Sequence, residues 1–212
     1  MKSIYCISGL AANEEVFSHL EFDNNKVTFI KWKIPEKNEP ISSYAKRMAA
    51  DITDENPILI GLSFGGMMSI EIAKIIPIEK VILISSIKHF REMPTFMRAA
   101  GKLKLDKVVP LKPYSFLTRY LNYRLGVENS EQRKLVNDYR NSVNQQYMNW
   151  AIHVILNWKN EWIPEHLVHI HGESDHIFPI NKLEVNYSIP KAGHLMLLNN
   201  YVAINKILKE VI

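Results

Sequence analysis

One serine stands in a setting that suits a nucleophile. Ser63 lies in the segment Gly61-Leu-Ser-Phe-Gly65, between the apolar run Ile58–Ile60 and a helical pattern. The β-branched run predicts a strand buried on both faces, and the two glycines permit a tight strand-to-helix turn. Such a turn predicts a strained serine whose hydroxyl lies beside the free N–H groups of the next helix. The alternative is an ordinary connection in which serine and glycine merely suit a tight turn.

A serine hydroxyl needs a base that takes its proton and an acid that holds the base. His194 follows the last predicted strand, and Asp175 follows the strand that ends at His171. Because loops beyond the carboxyl ends of parallel strands meet at one edge of a sheet, we expect nucleophile, acid and base in the order Ser63, Asp175, His194. Glu173 is the competing acid, and a purely structural histidine is the alternative for His194.

Strands and helical patterns alternate through the first part of the chain, which predicts an α/β fold with a doubly wound, mostly parallel sheet of about six strands. From residue 87 to residue 160, four helical patterns follow without an obvious strand. We interpret 87–160 as an inserted helical cap, and 1–86 with 161–212 as the core. The predicted strands are 2–7, 26–33, 58–60, 80–86, 167–171 and 184–189, and the predicted helices begin at Asn13, Ser42 or Ser43, and near residues 64, 95, 114, 130, 145 and 201.

The motifs resemble those of the α/β-hydrolase superfamily over nearly the whole chain. The resemblance rests on Gly61-Leu-Ser63-Phe-Gly65, His171-Gly172-x-x-Asp175-x-x-x-Pro179 and Gly193-His194. It is closest to the capped carboxylesterases and small acyl hydrolases, including the pimeloyl-carrier esterases.

This resemblance implies a reduced α/β-hydrolase fold in which Ser63 attacks, His194 is the general base and Asp175 orients it. The oxyanion hole would be the backbone N–H groups of Leu10 and Phe64. The chain departs from many relatives in having Ser8-Gly9 in place of His-Gly, and a short interval between Asp175 and His194.

An apolar acyl pocket is expected beside the serine. Its expected lining is Met93, Phe96, Met97, Phe116, Phe178 and Leu195. The alternative for the aromatic residues of the cap is packing of the cap against the sheet. The histidines around His169 and His171, with Glu173 and Asp175, superficially suggest a metal site, but their spacing fits no known site, and we expect neither a metal nor a cofactor.

Composition excludes several classes of protein. A chain of 212 residues that is 47% hydrophobic can bury a full core. A net charge of +4 is too small to indicate nucleic acid, and no apolar run approaches the ~20 residues that span a bilayer. With Cys6 as the only cysteine, expected to be a small buried hydrophobe, and with no signal-peptide pattern, we expect a cytoplasmic location.

The segment 88–140 is basic, with twelve Lys or Arg against five Asp or Glu. It is either a solvated helical surface or a surface that attracts an anionic substrate or carrier. The sequence thus predicts a serine hydrolase for a small acyl ester or thioester, free or linked to coenzyme A or a carrier protein. A non-catalytic binding protein, or a lyase or acyltransferase with the same triad, is the alternative, because a fold does not fix a reaction.

Overall fold

The structure, a computed structural model, describes residues 1–104 and 115–212, with side chains left out at 115–117. The side chain of the expected pocket residue Phe116 and the basic residues Lys107 and Lys112 lie outside what it describes.

Six parallel strands form one sheet, in the order β2-β1-β3-β4-β5-β6. The strands are β1 (Ser3–Ile7), β2 (Lys26–Ile30), β3 (Ile58–Leu62), β4 (Lys80–Ile84), β5 (Leu167–Gly172) and β6 (Tyr187–Ile189). Every residue of β3 is buried, as expected of a strand covered on both faces. The predicted α/β sheet of six strands is confirmed. Because β3 is central, the turn that follows it lies in the middle of the carboxyl edge.

Helices cover both faces of the sheet. They are α1 (Ile41–Ala49), α2 (Phe64–Ala73), α3 (Thr95–Lys102), α4 (Ser115–Leu125), α5 (Ser130–Ser142), α6 (Gln145–Leu156), α7 (Met196–Asn199) and α8 (Tyr201–Val211). One core cluster joins α1, α2 and α6 to the sheet through residues such as Tyr44, Met67 and Ala151. The other joins α7 and α8 through residues such as Met196 and Leu208.

In the part of the predicted helical stretch that the structure describes, four α-helices, α3 to α6, lie between β4 and β5. The inner side of α6 is buried at Tyr147, Ala151, Val154 and Ile155, which follow helical spacing. Beyond its end, Trp158 donates its indole N–H to Glu71 of α2 at 2.8 Å. The helix therefore packs against the helices that cover the sheet. The division of the chain into a core and a cap stays a prediction.

Several predicted boundaries differ from the observed ones by two or more residues. Strand β2 stops at Ile30 and not at residue 33, because its partner β1 ends opposite it, at Ile7. Farther on, the Lys33 N–H donates to the Tyr44 hydroxyl. Helix α1 begins at Ile41, with Pro40 at the N-cap position and no side-chain cap, so neither predicted serine caps it. Strand β6 begins only at Tyr187, three residues late. A short 3₁₀ helix spans Glu14–Phe17, and the predicted cap of this helix by Asn13 is confirmed, since the Asn13 side chain accepts from the Glu15 N–H.

Cys6 is buried in β1, as predicted, and burial raises the pKa of its thiol. Within 1–104 and 115–212, no helix combines the length and the apolar character that crossing a bilayer requires.

Candidate active site

Ser63 occupies a strained turn between β3 and α2. Its backbone has φ 52° and ψ −117°, a region that costs a non-glycine residue about 1–3 kcal/mol. Two bonds from β4 and the residues after it hold it there: the Ser63 N–H donates to Ile84 O at 2.9 Å, and the Ser86 hydroxyl donates to Ser63 O at 2.7 Å. The predicted strain at this turn is confirmed.

The glycines around Ser63 allow backbones to touch. A Cβ on Gly65 would lie 2.1 Å from Ile7 O, and one on Gly61 would lie 2.4 Å from the Cα of Gly66. Both distances are impossible for a real side chain, so only glycine fits. The predicted collision at these two positions is confirmed, and it brings the end of β1 against the start of α2.

A continuous hydrogen-bond chain joins Ser63, His194 and Asp175. His194 Nδ1 lies 2.7 Å from Asp175 Oδ2, and His194 Nε2 lies 2.9 Å from Ser63 Oγ. A carboxylate only accepts, so Nδ1 carries the proton and donates it, and the neutral ring accepts at Nε2 from the serine hydroxyl. Asp175 and His194 are both buried, at 3% and 5% exposure, while Ser63 is half-buried. The structure therefore brings the three predicted residues together.

The carboxylate of Asp175 is held from several sides. Its Oδ1 accepts from the N–H groups of Ile177 and Phe178, at 2.7 and 2.9 Å. Burial acts to raise the pKa of this carboxyl, but the charge and hydrogen bond of His194, with His171 and the Phe178 N–H, outweigh it and lower the pKa. Asp175 is thus an ionised, oriented partner for His194 at neutral pH.

Glu173 lies elsewhere. Its carboxylate accepts from the hydroxyl of Ser188 at 2.9 Å, in an exposed pair at the edge of the sheet. The acid that contacts His194 is Asp175.

The two histidines of β5 share one buried face, as their spacing predicts. The rings of His169 and His171 meet edge to face with centroids 5.3 Å apart, and neither is exposed. Burial lowers the pKa of His169 to about 3, and it also lowers the pKa of His171, so both rings are neutral. Among the described residues, no three His, Cys, Asp or Glu side chains converge as metal ligands would.

The loop after β1 lies against the serine turn. A methyl group built on Gly9 would be 3.5 Å from Ser63 Cβ. Ser8 holds the loop, since its hydroxyl donates to Ala12 O at 2.7 Å and accepts from the indole N–H of Trp32 at 3.1 Å. Leu10 directly follows Gly9 in this loop, and Phe64 directly follows Ser63 at the start of α2. Their N–H groups stay the predicted oxyanion donors.

Some of the expected pocket residues lie beside His194 or in the core, and one of them, Phe96, is exposed. Phe178 lies with its ring edge to face against His194, with centroids 5.7 Å apart, and Leu195 directly follows the histidine. Met93 is buried in the core cluster that contains Phe64 and Phe178, and Met97 packs against that cluster. Phe96 is 56% exposed and lies 5.4 Å from the guanidinium of Arg124.

The end of α4 contacts both loops that follow β5 and β6. The backbone O of Leu125 accepts from Leu195 N–H at 3.1 Å, and Arg124 donates to the backbone O of His176. At Gly126, with φ 74°, an added Cβ would lie 3.4 Å from the Cα of Gly193. The helical stretch is therefore joined to the histidine loop and to the acid loop. The sequence gave no signal for this contact, because two of its three links are made by backbone atoms.

The chain has the α/β-hydrolase fold. An esterase from Exiguobacterium antarcticum matches 99% of this chain over 91% of its own, with a TM-score of 0.74 and 16% sequence identity. A thermophilic esterase from Thermogutta terrifontis matches 99% over 89% of its own, with a TM-score of 0.71 and 14% identity. The 2-hydroxy-6-oxo-6-phenylhexa-2,4-dienoate hydrolase of Rhodococcus sp. strain RHA1 matches 99% of this chain over 89% of its own, with a TM-score of 0.71 and 16% identity. No protein-family model and no curated protein sequence matches the chain.

Proposed function

We propose that the protein is a serine hydrolase that cleaves a carboxylic ester or thioester through an acyl-enzyme on Ser63. The observation that carries the proposal is the hydrogen-bond chain from Asp175 through His194 to a serine hydroxyl on a strained turn. The esterases and the hydrolase among the similar structures support hydrolysis in general.

The proposed reaction has two halves. Ser63 Oγ attacks the carbonyl carbon while its proton passes to His194 Nε2, and the N–H groups of Leu10 and Phe64 bind the oxyanion. His194 then gives the proton to the leaving oxygen or sulfur, which departs and leaves the acyl group on Ser63. In the second half, water gives a proton to His194 and attacks the acyl-enzyme, and His194 then returns that proton to Ser63 Oγ as the bond to the acyl group breaks and the acid is released. Each oxyanion donor is expected to contribute about 10²–10³ in rate.

The acyl group would lie against apolar side chains beside the histidine. Phe178, Leu195, Met93 and Met97 supply that surface in our proposal, because they lie next to His194 or in the core cluster behind it. Such a surface accepts a short acyl chain by burial of its methylene groups.

An anionic carrier of the acyl group, coenzyme A or an acidic protein, is proposed from a basic cavity that Ser63, Asp175 and His194 do not themselves line. Arg98, Lys102 and Lys159 line a cavity of about 480 Å³ beside α3, with Glu161 as the one carboxylate among the lining residues. None of the three cations forms an ion pair with a described residue. A cluster of free cations attracts anions and speeds their association.

The test is labelling and turnover with Ser63→Ala. A fluorophosphonate probe should label the wild type and not Ser63→Ala, and the variant should lose activity on a panel of esters and thioesters. Ser188→Ala is the matched control, because that serine is exposed and bonded to Glu173. Turnover in a clean Ser63→Ala preparation would overturn the proposal. If Ser63 is labelled but only a carbon–carbon substrate such as a diketone is cleaved, the bond in the proposal is wrong.

A further inference from the structure

A second histidine, His171, lies directly behind the acid. It is fully buried at the end of β5, four residues before Asp175. Its Nε2 is 2.8 Å from Phe178 O and 3.3 Å from Asp175 Oδ2. A carbonyl and a carboxylate only accept, so Nε2 carries a proton; its hydrogen bond is to Phe178 O, and Oδ2 lies beside it.

The tautomer is set by that contact. His171 Nδ1 has no hydrogen-bond partner among the described residues, so no group competes for a proton on the other side of the ring. A buried, neutral imidazole with one bonded N–H is a fixed dipole: the N–H points at Phe178 O, and Asp175 Oδ2 lies 3.3 Å from the same nitrogen, beside the positive end of the ring.

His171 also holds the loop that orients the carboxylate. The residue whose carbonyl it binds, Phe178, donates its own N–H to Asp175 Oδ1 at 2.9 Å. The ring therefore contacts the acid directly at Oδ2 and fixes, through Phe178, the backbone donor that binds Oδ1. Asp175 Oδ2 is the oxygen that accepts from His194.

We propose that His171 is a positioning residue for the hydrolysis: its Nε2–H holds the acid loop through Phe178 O, and the positive side of its ring beside Oδ2 moderates the pull of the carboxylate on His194. This inference rests on the proposed function. The inference and the proposed function can fail separately. Ser63→Ala alone decides the role of Ser63, whereas the His171 variants change only how well His194 is held.

The surroundings of His171 define the controls. The titratable groups that face it are Asp175, His194 and His169, and Lys88 acts on His169. His169 is also buried on the same strand face; its ring nitrogens make no hydrogen bond of ordinary geometry among the described residues, and the groups beside them are the backbones of Ser86 and Glu184, away from the acid loop. His169→Phe is therefore the matched control, since it changes a buried histidine without removing a bond to the acid loop.

The experiment compares three variants with the wild type by kcat, KM, melting temperature and the pH profile of kcat/KM on one activated ester. His171→Leu removes the N–H donor and should lower kcat at least about 10-fold, the size of one hydrogen bond near a charge, with KM unchanged. The acid limb of the kcat/KM profile of this variant should move to higher pH, because without the N–H of His171 the carboxylate of Asp175 holds the proton on His194 more strongly. His171→Gln, whose amide reaches the position of Nε2, should restore both kcat and the position of the acid limb. His169→Phe should change neither of these quantities.

A merely structural role would lower the melting temperature and leave the pH profile in place. The inference is overturned if His171→Leu loses no more rate than His169→Phe, or if its acid limb stays fixed or moves down. If His171→Leu does not fold, His171→Asn replaces it, because its shorter amide falls short of Phe178 O. Equal rates and pH profiles for the Asn and Gln variants would then overturn the inference.

Discussion

Replacing Asp175 by asparagine changes one atom in the hydrogen-bond chain. The Asn oxygen should take the place of Oδ1, because the Ile177 and Phe178 N–H groups need an acceptor there. The amide nitrogen then stands where Oδ2 was, 2.7 Å from His194 Nδ1, and two donors cannot share that contact. His194 must adopt the tautomer with its proton on Nε2, so it can no longer accept the proton of Ser63.

The loss should be large and confined to turnover. With the base in the wrong tautomer, we expect kcat to fall by about 10⁴, which is about 5.5 kcal/mol at ~1.36 kcal/mol for each factor of ten. KM should change little, because the carboxylate is 3% exposed and separated from substrate by His194. The assay is steady-state hydrolysis of an activated ester at neutral pH. Glu173→Gln is the control, since its carboxylate contacts Ser188 and not the histidine.

Two results would refute this reasoning. If Glu173→Gln is the damaging change and Asp175→Asn is mild, the acid has been assigned to the wrong residue. If both are mild while Ser63→Ala is inactive, the serine works without an oriented histidine, and the proposed proton path is wrong.

Three further predictions concern stability and substrate choice. Ser63→Gly should unfold in urea with a free energy about 1 kcal/mol above that of Ser63→Ala, because φ 52° strains both Ser and Ala but not Gly; equal values would mean that the turn stores no strain. Burial lowers the pKa of His169 to about 3, against about 6.5 in an unfolded chain. Between these values the unfolded state binds the extra proton, so stability is full above pH ~6.5 and falls as the pH drops, by about 2 kcal/mol at pH 5. Between pH 7 and pH 5, the free energy of unfolding of His169→Phe in urea should therefore fall by about 2 kcal/mol less than that of the wild type. An identical pH dependence of the two proteins would contradict the burial argument. For an acyl-coenzyme A, kcat/KM should fall between about 20 and 500 mM salt while that of a matched neutral ester stays level, because exposed charges are screened over ~8–10 Å; flat, parallel curves would leave the basic segment a solvated surface.

Local signals in the sequence were sufficient for the turn and the sheet. The turn around Ser63 could be predicted because each of its requirements is met by neighbours in sequence: a β-branched run before it and glycines at the two crowded positions. The order of Asp175 and His194 could be placed because both follow apolar runs that predict strands. Parallel strands then bring their carboxyl ends to one edge without further information.

Features made by distant or backbone atoms could not be predicted. Beyond the end of β2, the N–H of Lys33 is bound by a hydroxyl from α1, at Tyr44. The contact of His171 with the acid loop depends on a carbonyl of Phe178, and every residue has a carbonyl. The link between Leu125 and the histidine loop is likewise a bond between two backbones. Patterns of side-chain type carry no information about such partners.

The spacing of the site along the chain has a consequence for synthesis and refolding. Ser63 and His194 are 131 residues apart, and His194 follows β6, a three-residue strand at the edge of the sheet. Contacts between such distant residues form late, since a long loop must close first. Ser63 should therefore emerge from the ribosome as an ordinary hydroxyl and become reactive only when the last strand docks. In a refolding experiment, labelling of Ser63 by a fluorophosphonate should lag behind the recovery of helical circular dichroism.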